Sequence, residues 1–223
     1  MRKKGFFITF EGTDGVGKST HLKLAADWLS KQGASLLTTR EPGGGAVSER
    51  IRHLLLDPAL EMKGLTELFL YQAARVEHVQ NILNPALAEG KIVLCDRFTD
   101  ATLAYQGHAR QLQKPAVLLN KLATGGLVPD LTILLNLPPL QGLERAKQAK
   151  SHTDRLENEG LAFQKAVHKG YLKLAKNNSK RIKVVNVRAS MEDTQNVIRD
   201  IITRSLRGHS WTTPSAPLLV GRN

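Results

Sequence analysis

Five short runs of apolar, often β-branched residues recur along the chain, at 5–10, 35–39, 91–95, 131–137 and 182–187. In "IVLC" and "ILLNL" the apolar character is almost unbroken, as in strands covered on both faces. Between the runs lie segments with helical spacing; "LTELFLYQAARVEHVQNILNPALAEG", at 65–90, is one. Strands separated by helices pair in parallel through right-handed crossovers. The pattern therefore predicts an α/β fold: a five-stranded parallel sheet flanked by helices on both faces. No internal repeat or low-complexity linker interrupts it. From 208 to 223 the periodicity stops and Gly, Pro, Ser and Thr take over, so this stretch is expected to be a loose tail.

Size and composition narrow the possibilities. A chain of 223 residues, 41% hydrophobic and 23% charged, suits one α/β domain with a sizeable core. No apolar run approaches the ~20 residues of a membrane helix. The apolar stretch after "MRKK" meets Glu11 too soon for the roughly 7–15 residues of a signal core. The single cysteine, Cys95, allows no internal disulfide and no thiolate metal cluster, and reads as a small buried hydrophobe. The expectation is a cytoplasmic protein without a membrane partner. The net charge of +12 favours anionic partners, much of the excess lying at 145–183. Finger spacing, an aromatic-basic stripe and an RNA-binding signature are missing, so nucleic acid is not expected and a phosphorylated small molecule is preferred.

The first strand runs into "EGTDGVGKST". Gly12, Thr13, Asp14, Gly15, Val16, Gly17, Lys18 and Ser19 fit the phosphate-binding pattern G-x-x-x-x-G-K-[ST], and Thr20 follows. Glycines allow the backbone angles and close approaches that turn N–H groups inward into an anion nest. The helix starting near Lys18 adds its positive end. Lys18 brings a mobile charge to the outer phosphates of a nucleotide, and the Ser19 hydroxyl can ligand Mg²⁺. The motif predicts a P-loop NTPase fold, but the cradle alone does not decide whether phosphate goes to water or to a second substrate.

Three further stretches bear on that choice. "TREPGG" puts Arg40 at the end of the second strand, and "CDRFTDATLAYQG" puts Asp96 and Arg97 at the end of the third, where α/β sheets bind ligands. "LYQAAR" puts Tyr71 and Arg75 at i and i+4, on one helix face. Together with the P-loop, these stretches resemble the thymidylate kinase family of nucleoside monophosphate kinases, bacterial type, over about 4–206.

The resemblance implies transfer of the γ-phosphoryl group of ATP to dTMP, giving dTDP and ADP. It gives Arg40 and Arg97 the acceptor phosphate, which planar guanidinium forks suit. Asp96 would help organise Mg²⁺ together with Ser19. Asp14 would accept a hydrogen bond from the deoxyribose 3′-OH, Tyr71 would stack on thymine, and Arg75 would donate to a thymine carbonyl. Thr102 would lie near the base and Tyr105 against the 2′ position, disfavouring ribose. The acceptor phosphate has a second pKa near ~6, so no general base is required.

Residues 141–160, "QGLERAKQAKSHTDRLENEG", resemble the family's lid over ATP. Arg145, Lys147, Lys150 and Arg155 are its cations. Arg155, then Arg145, are the expected catalytic residues beside Lys18 and Arg97, compensating for Gly15 where some relatives carry an arginine. Asn136, Asn186, Tyr71 and Gln72 depart from the family's commoner residues. The expected organisation is one kinase domain over 1–207, assembling as a homodimer by resemblance only. A kinase for another deoxynucleotide, or a nucleic-acid-binding P-loop NTPase, stays open at this point.

Overall fold

The computed structural model describes residues 5–149 and 154–207. The strands are β1 (Phe6–Glu11), β2 (Leu36–Arg40), β3 (Ile92–Asp96), β4 (Leu131–Asn136) and β5 (Ile182–Asn186). They form one parallel sheet in the order β2-β3-β1-β4-β5. Each lies within one residue of its expected boundaries.

Among the described residues, nine α-helical elements connect or follow them: α1 (Lys18–Lys31), α2 (Ala46–Leu56), α3 (Gly64–His78), α4 (Asn84–Ala88), α5 (Thr99–Thr102), α6 (Gln113–Thr124), α7 (Pro139–Ala149), α8 (Gly160–Asn177) and α9 (Met191–Arg207). The stretch expected to be helical at 65–90 passes through a π-turn, Val79–Leu83, between α3 and α4. A second π segment, Leu103–Ala109, prolongs α5.

Side-chain alternation in β1 explains the three layers. Phe6, Ile8 and Phe10 pack with Leu22, Ala25 and Leu29 of α1 and with Ile198, Ile202 and Leu206 of α9. Phe7 points the other way, into a cluster with Val79, Leu83, Val93, Cys95 and Phe98. Further along that second face, Leu134 and Ile182 pack on Tyr105, Val167 and Tyr171. Fully burying a residue such as Phe10 or Leu94, each 0% exposed, contributes roughly 1.5–3 kcal/mol. Cys95 belongs to this core, and burial pushes its thiol well up.

The register levels the rim on which the site stands. Arg40 is opposite Asp96 across β2 and β3, and Asp96 is opposite Phe10 across β3 and β1. The loops that carry the motif residues thus leave the sheet side by side. At the other end of the same rim Asn136 and Asn186 are register partners. Asn136 Nδ2 donates to Asn186 Oδ1 at 2.7 Å, and Asn136 Oδ1 meets His168 Nε2 at 2.7 Å.

Candidate active site

The P-loop takes the backbone path its glycines permit. Gly12, Gly15 and Gly17 have φ of +138°, +73° and +89°, a region that L side chains rarely enter. At Gly15 space is also missing. A Cβ there would lie 1.8 Å from the Gly142 carbonyl oxygen, because the first turn of α7 crosses directly over the loop. A Cβ on Gly142 would in turn meet the Asp14 carbonyl at 2.6 Å. Two glycines let α7 rest directly on the P-loop.

Lys18 opens α1 and is 8% exposed, with Nζ bonded to the Thr13 carbonyl at 2.7 Å. Burial, helped by Arg97, pulls its pKa below the usual lysine value, against Asp14, Asp96 and Glu11. Ser19 Oγ donates to Asp96 Oδ2 at 2.5 Å, joining the P-loop to the end of β3.

Arg97 is the junction of the site. Its backbone is left-handed, φ +70°, which is uncommon for a residue with a side chain. Its N–H donates to the Phe10 carbonyl at 3.0 Å, while the next N–H, of Phe98, donates to Glu11 Oε1 at 2.7 Å. Nη1 reaches the Gly12 carbonyl at 2.9 Å and the Tyr171 hydroxyl at 3.2 Å. Nη2 reaches Asp14 Oδ1 at 2.5 Å and the Tyr105 hydroxyl at 3.1 Å. Burial opposes its charge, but Tyr105, Asp14 and Tyr171 hold the guanidinium protonated.

Asp14 also accepts from Tyr105 and, at 3.3 Å, from Gln164 Nε2 of α8. Burial alone would raise its carboxyl; Arg97 and Lys18 override this and keep it below the usual range. Glu11, at the end of β1, behaves in the opposite way. It is 0% exposed, and burial, with Asp100 adding, pushes its pKa up to about 8 against the pull of Arg97, Tyr171 and Phe98.

A cavity of about 530 Å³ opens from the cradle toward α3. Lys18, Arg97, Arg145, Tyr71, Arg75 and Tyr105 are on its wall. Arg75 is 2% exposed and enclosed by oxygens: Glu41 Oε2 on Nε at 2.7 Å, the Phe98 carbonyl on Nη2 at 3.1 Å, and Thr102 Oγ1 on Nη1 at 2.9 Å. Behind it, Glu41 Oε1 meets His78 Nδ1 at 2.9 Å, and His78 Nε2 meets Thr39 Oγ1 at 2.8 Å.

Two expected roles meet a different geometry. Arg155 does not face the cradle. Its N–H and Nε donate to the carbonyls of Leu56 and Leu55, at 3.2 and 2.9 Å, and Nη1 pairs with buried Glu67 at 2.7 Å. Arg155 thus lies against the end of α2 and is drawn to α3, off the cavity wall. Arg145, one turn beyond Gly142, is the lid arginine on the cavity wall. Arg40 is on that wall too, but its Nη2 is engaged by both Glu49 oxygens, at 3.1 and 3.0 Å. Lys147 is exposed on α7, and Lys150 and the tail at 208–223 lie outside the described residues.

Several contributors escaped the sequence reading. Glu11, Glu41, Gln164 and Tyr171 hold the arginines and Asp14 from behind, while Arg52 and Gln106 join the cavity wall. Glu41 had a signal, an acid lodged between Arg40 and Pro42 of a recognised motif. Gln164 and Tyr171 had none, because α8 reads as an ordinary amphipathic helix.

With this geometry in view, comparison with known proteins is informative. Residues 10–198 match the family model described as thymidylate kinase. A thymidylate kinase of Gloeobacter violaceus is 47% identical over 198 residues, spanning 88% of this chain and 93% of the relative. That of Desulfosudis oleivorans is 50% identical over 188 residues, spanning 81% and 88%. Among solved structures, thymidylate kinase from Ehrlichia chaffeensis is similar with a TM-score of 0.73 and 31% identity, over 90% of this chain and 99% of that one.

Proposed function

This chain belongs to the thymidylate kinase family, and on that premise we propose how its residues move the γ-phosphoryl group of ATP onto dTMP, giving dTDP and ADP. The observation that carries the reading is the bond between Arg97 and Asp14, which links an acceptor-side guanidinium to the donor-side cradle within one cavity.

Both substrates are anionic, so the first task is to overcome their repulsion. Backbone N–H groups of the P-loop and Lys18 hold the ATP phosphates. Arg97 grips the acceptor phosphate, with Arg40 joining once it turns from Glu49. Arg145 approaches from the lid. Charges fixed in advance around the travelling group lower the barrier because they need no reorganisation during transfer. The acceptor is already ionised at neutral pH, so no side chain has to remove a proton.

The second task is selection. Tyr71 offers a ring face to the base, and Arg75 donates to a base carbonyl next to Thr102. Asp14 takes the 3′-hydroxyl while it orients Arg97, and Tyr105 closes the space beside the 2′ carbon.

Ser19 Oγ and Asp96 Oδ2 are hard oxygen donors brought together beside the cradle, a donor set that fits Mg²⁺. They are the residues that would hold it, and it would supply positive charge against the phosphates there.

We also propose a homodimer. Leu65 and Phe69 on α3, with Leu118 and Leu122 on α6, are 46%, 54%, 59% and 68% exposed, an unusual load of apolar surface for two packed helices. Analytical ultracentrifugation tests this, and a monomer at micromolar concentration would refute it. No helix among the described residues is long and apolar enough to cross a membrane; cytoplasmic residence is part of the proposal.

A panel of nucleoside monophosphates assayed with ATP tests the substrate assignment. dTMP is expected to turn over fastest, and faster turnover of CMP or UMP would reject it.

A further inference from the structure

A long guanidinium reads a base well only if it is held still. Arg75 carries five N–H donors on a side chain with about 2 kcal/mol of rotamer entropy to lose. Glu41 fixes Nε and the Phe98 carbonyl fixes Nη2, as described above. At Nη1 the shortest contact is with Asn120 Oδ1, at 2.6 Å, ahead of Thr102 Oγ1 and Gln72 Oε1 at 2.9 and 3.1 Å.

Asn120 comes from α6, which contributes no side chain to the cavity wall among the described residues. It is 6% exposed, and both ends of its amide are committed. Oδ1 accepts a second bond from Gln72 Nε2 at 2.9 Å, and Nδ2 donates to the Thr99 carbonyl at 3.1 Å. Two donors face the oxygen and a carbonyl faces the nitrogen, so the amide has one satisfactory orientation. One side chain thus ties Arg75 and Gln72 of α3 to the first residue of α5, whose last residue is Thr102. It sets the spacing between Arg75 and Thr102, the two polar groups assigned to the base.

We propose that Asn120 is a positioning residue for base selection: it acts through Arg75 and lets the site favour a pyrimidine with a carbonyl over one with an amino group at the same place. The inference rests on the reading of Arg75 as a base contact. Gln72 is its second support, which gives the departure noted in the sequence a structural role.

The test compares Asn120→Ala, Asn120→Asp and Arg75→Gln in the full chain, with KM for dTMP and for ATP, relative kcat/KM for dTMP and dCMP, and Tm. Losing a bond to a charged donor predicts that Asn120→Ala raises KM for dTMP about tenfold and lowers the dTMP over dCMP preference by a similar factor. KM for ATP should stay within about twofold, since ATP touches neither residue. Asn120→Asp keeps the acceptor oxygen toward Arg75 but sets a second oxygen against the Thr99 carbonyl, so it should lower Tm yet hold KM and preference within about threefold of the parent. A purely structural role would lower Tm in both variants without moving the dTMP to ATP ratio of KM, and that result overturns the proposal. So does an aspartate variant no better than alanine. If alanine does not fold, Asn120→Ser beside Asn120→Asp gives the same contrast. Arg75→Gln separates the two layers of the argument. An unchanged KM for dTMP in that variant overturns the base contact and this inference together. A raised KM there, with Asn120→Ala unchanged, overturns only the role of Asn120.

Discussion

Arg97 Nη2 and Asp14 Oδ1 lie 2.5 Å apart, although one residue follows β3 and the other sits in the loop after β1. β1 and β3 are neighbours in the sheet, so two loops distant in sequence leave it side by side. The pair is four-fifths buried on both sides, and its oxygen and nitrogen atoms have further partners in Tyr105, Tyr171 and Gln164. The direction of the guanidinium is therefore set by the fold itself.

Arg97→Lys keeps the charge and loses the fork that contacts four partners. Lysine cannot reach the Gly12 carbonyl, Asp14 and two phenols at once. Steady-state assays should show kcat lower by about 100-fold, the range for removal of one preorganised charge donor. Activity within threefold of the parent would mean that charge alone suffices.

Gly15→Ala is expected to be far more damaging than its size suggests. The substituent meets the Gly142 carbonyl and must also accept a positive φ. The lid helix would have to lift from the cradle, carrying Arg145 with it. kcat should fall at least tenfold, about 1.4 kcal/mol in the barrier, and limited proteolysis should cut the lid region sooner. A variant with normal kcat would mean that α7 does not rest on the P-loop during turnover.

The two lid arginines should separate kinetically. Arg145→Ala removes a cation from the cavity wall and should lower kcat about tenfold or more with a smaller change in either KM. Arg155→Ala leaves Glu67 with Arg110 and Gln106 and removes the side-chain bond to the Leu55 carbonyl, while the backbone bond to Leu56 stays. Its main effects should be a lower Tm and a raised KM for dTMP. The reverse assignment would return Arg155 to the phosphates.

Glu11 predicts a pH dependence of stability. Its folded-state pKa, about 8, lies above the ordinary value of 4.5, so the folded chain holds this proton where the unfolded chain has released it. The contribution is fully present below pH 4.5 and is lost as pH rises toward 8, with a slope of about 1.4 kcal/mol per pH unit for one proton. Glu11→Gln removes that component. Denaturant unfolding between pH 6 and 9 should show parent stability falling relative to the variant; parallel curves would show that Glu11 is ionised in the fold.

The strands were legible in the sequence because covered strands of a parallel sheet are nearly continuous apolar runs. The cradle was legible because its backbone path demands glycine at fixed positions. The place of Arg155 was not legible for a physical reason: a cation in a basic stretch gives no sign that it will pair with Glu67, some 90 residues earlier in sequence. The cage around Arg75 was hidden in the same way. Gln72 and Asn120 are 48 residues apart, and nothing local to α6 marks one amide as the partner of a distant guanidinium. Residues that touch substrate leave motifs, whereas residues that hold those residues leave only polar positions on otherwise apolar helix faces.

The place of β1 in the middle of the sheet has a consequence for how the molecule breathes. The loops carrying Lys18 and Arg97 hang from the two innermost strands of their half, where amide protons exchange only on the deepest openings. The edges are β2, which ends at Arg40, and β5, which ends at Asn186, and opening costs least there. Motion at those two margins can therefore proceed while the bonds joining Lys18, Asp14 and Arg97 stay closed.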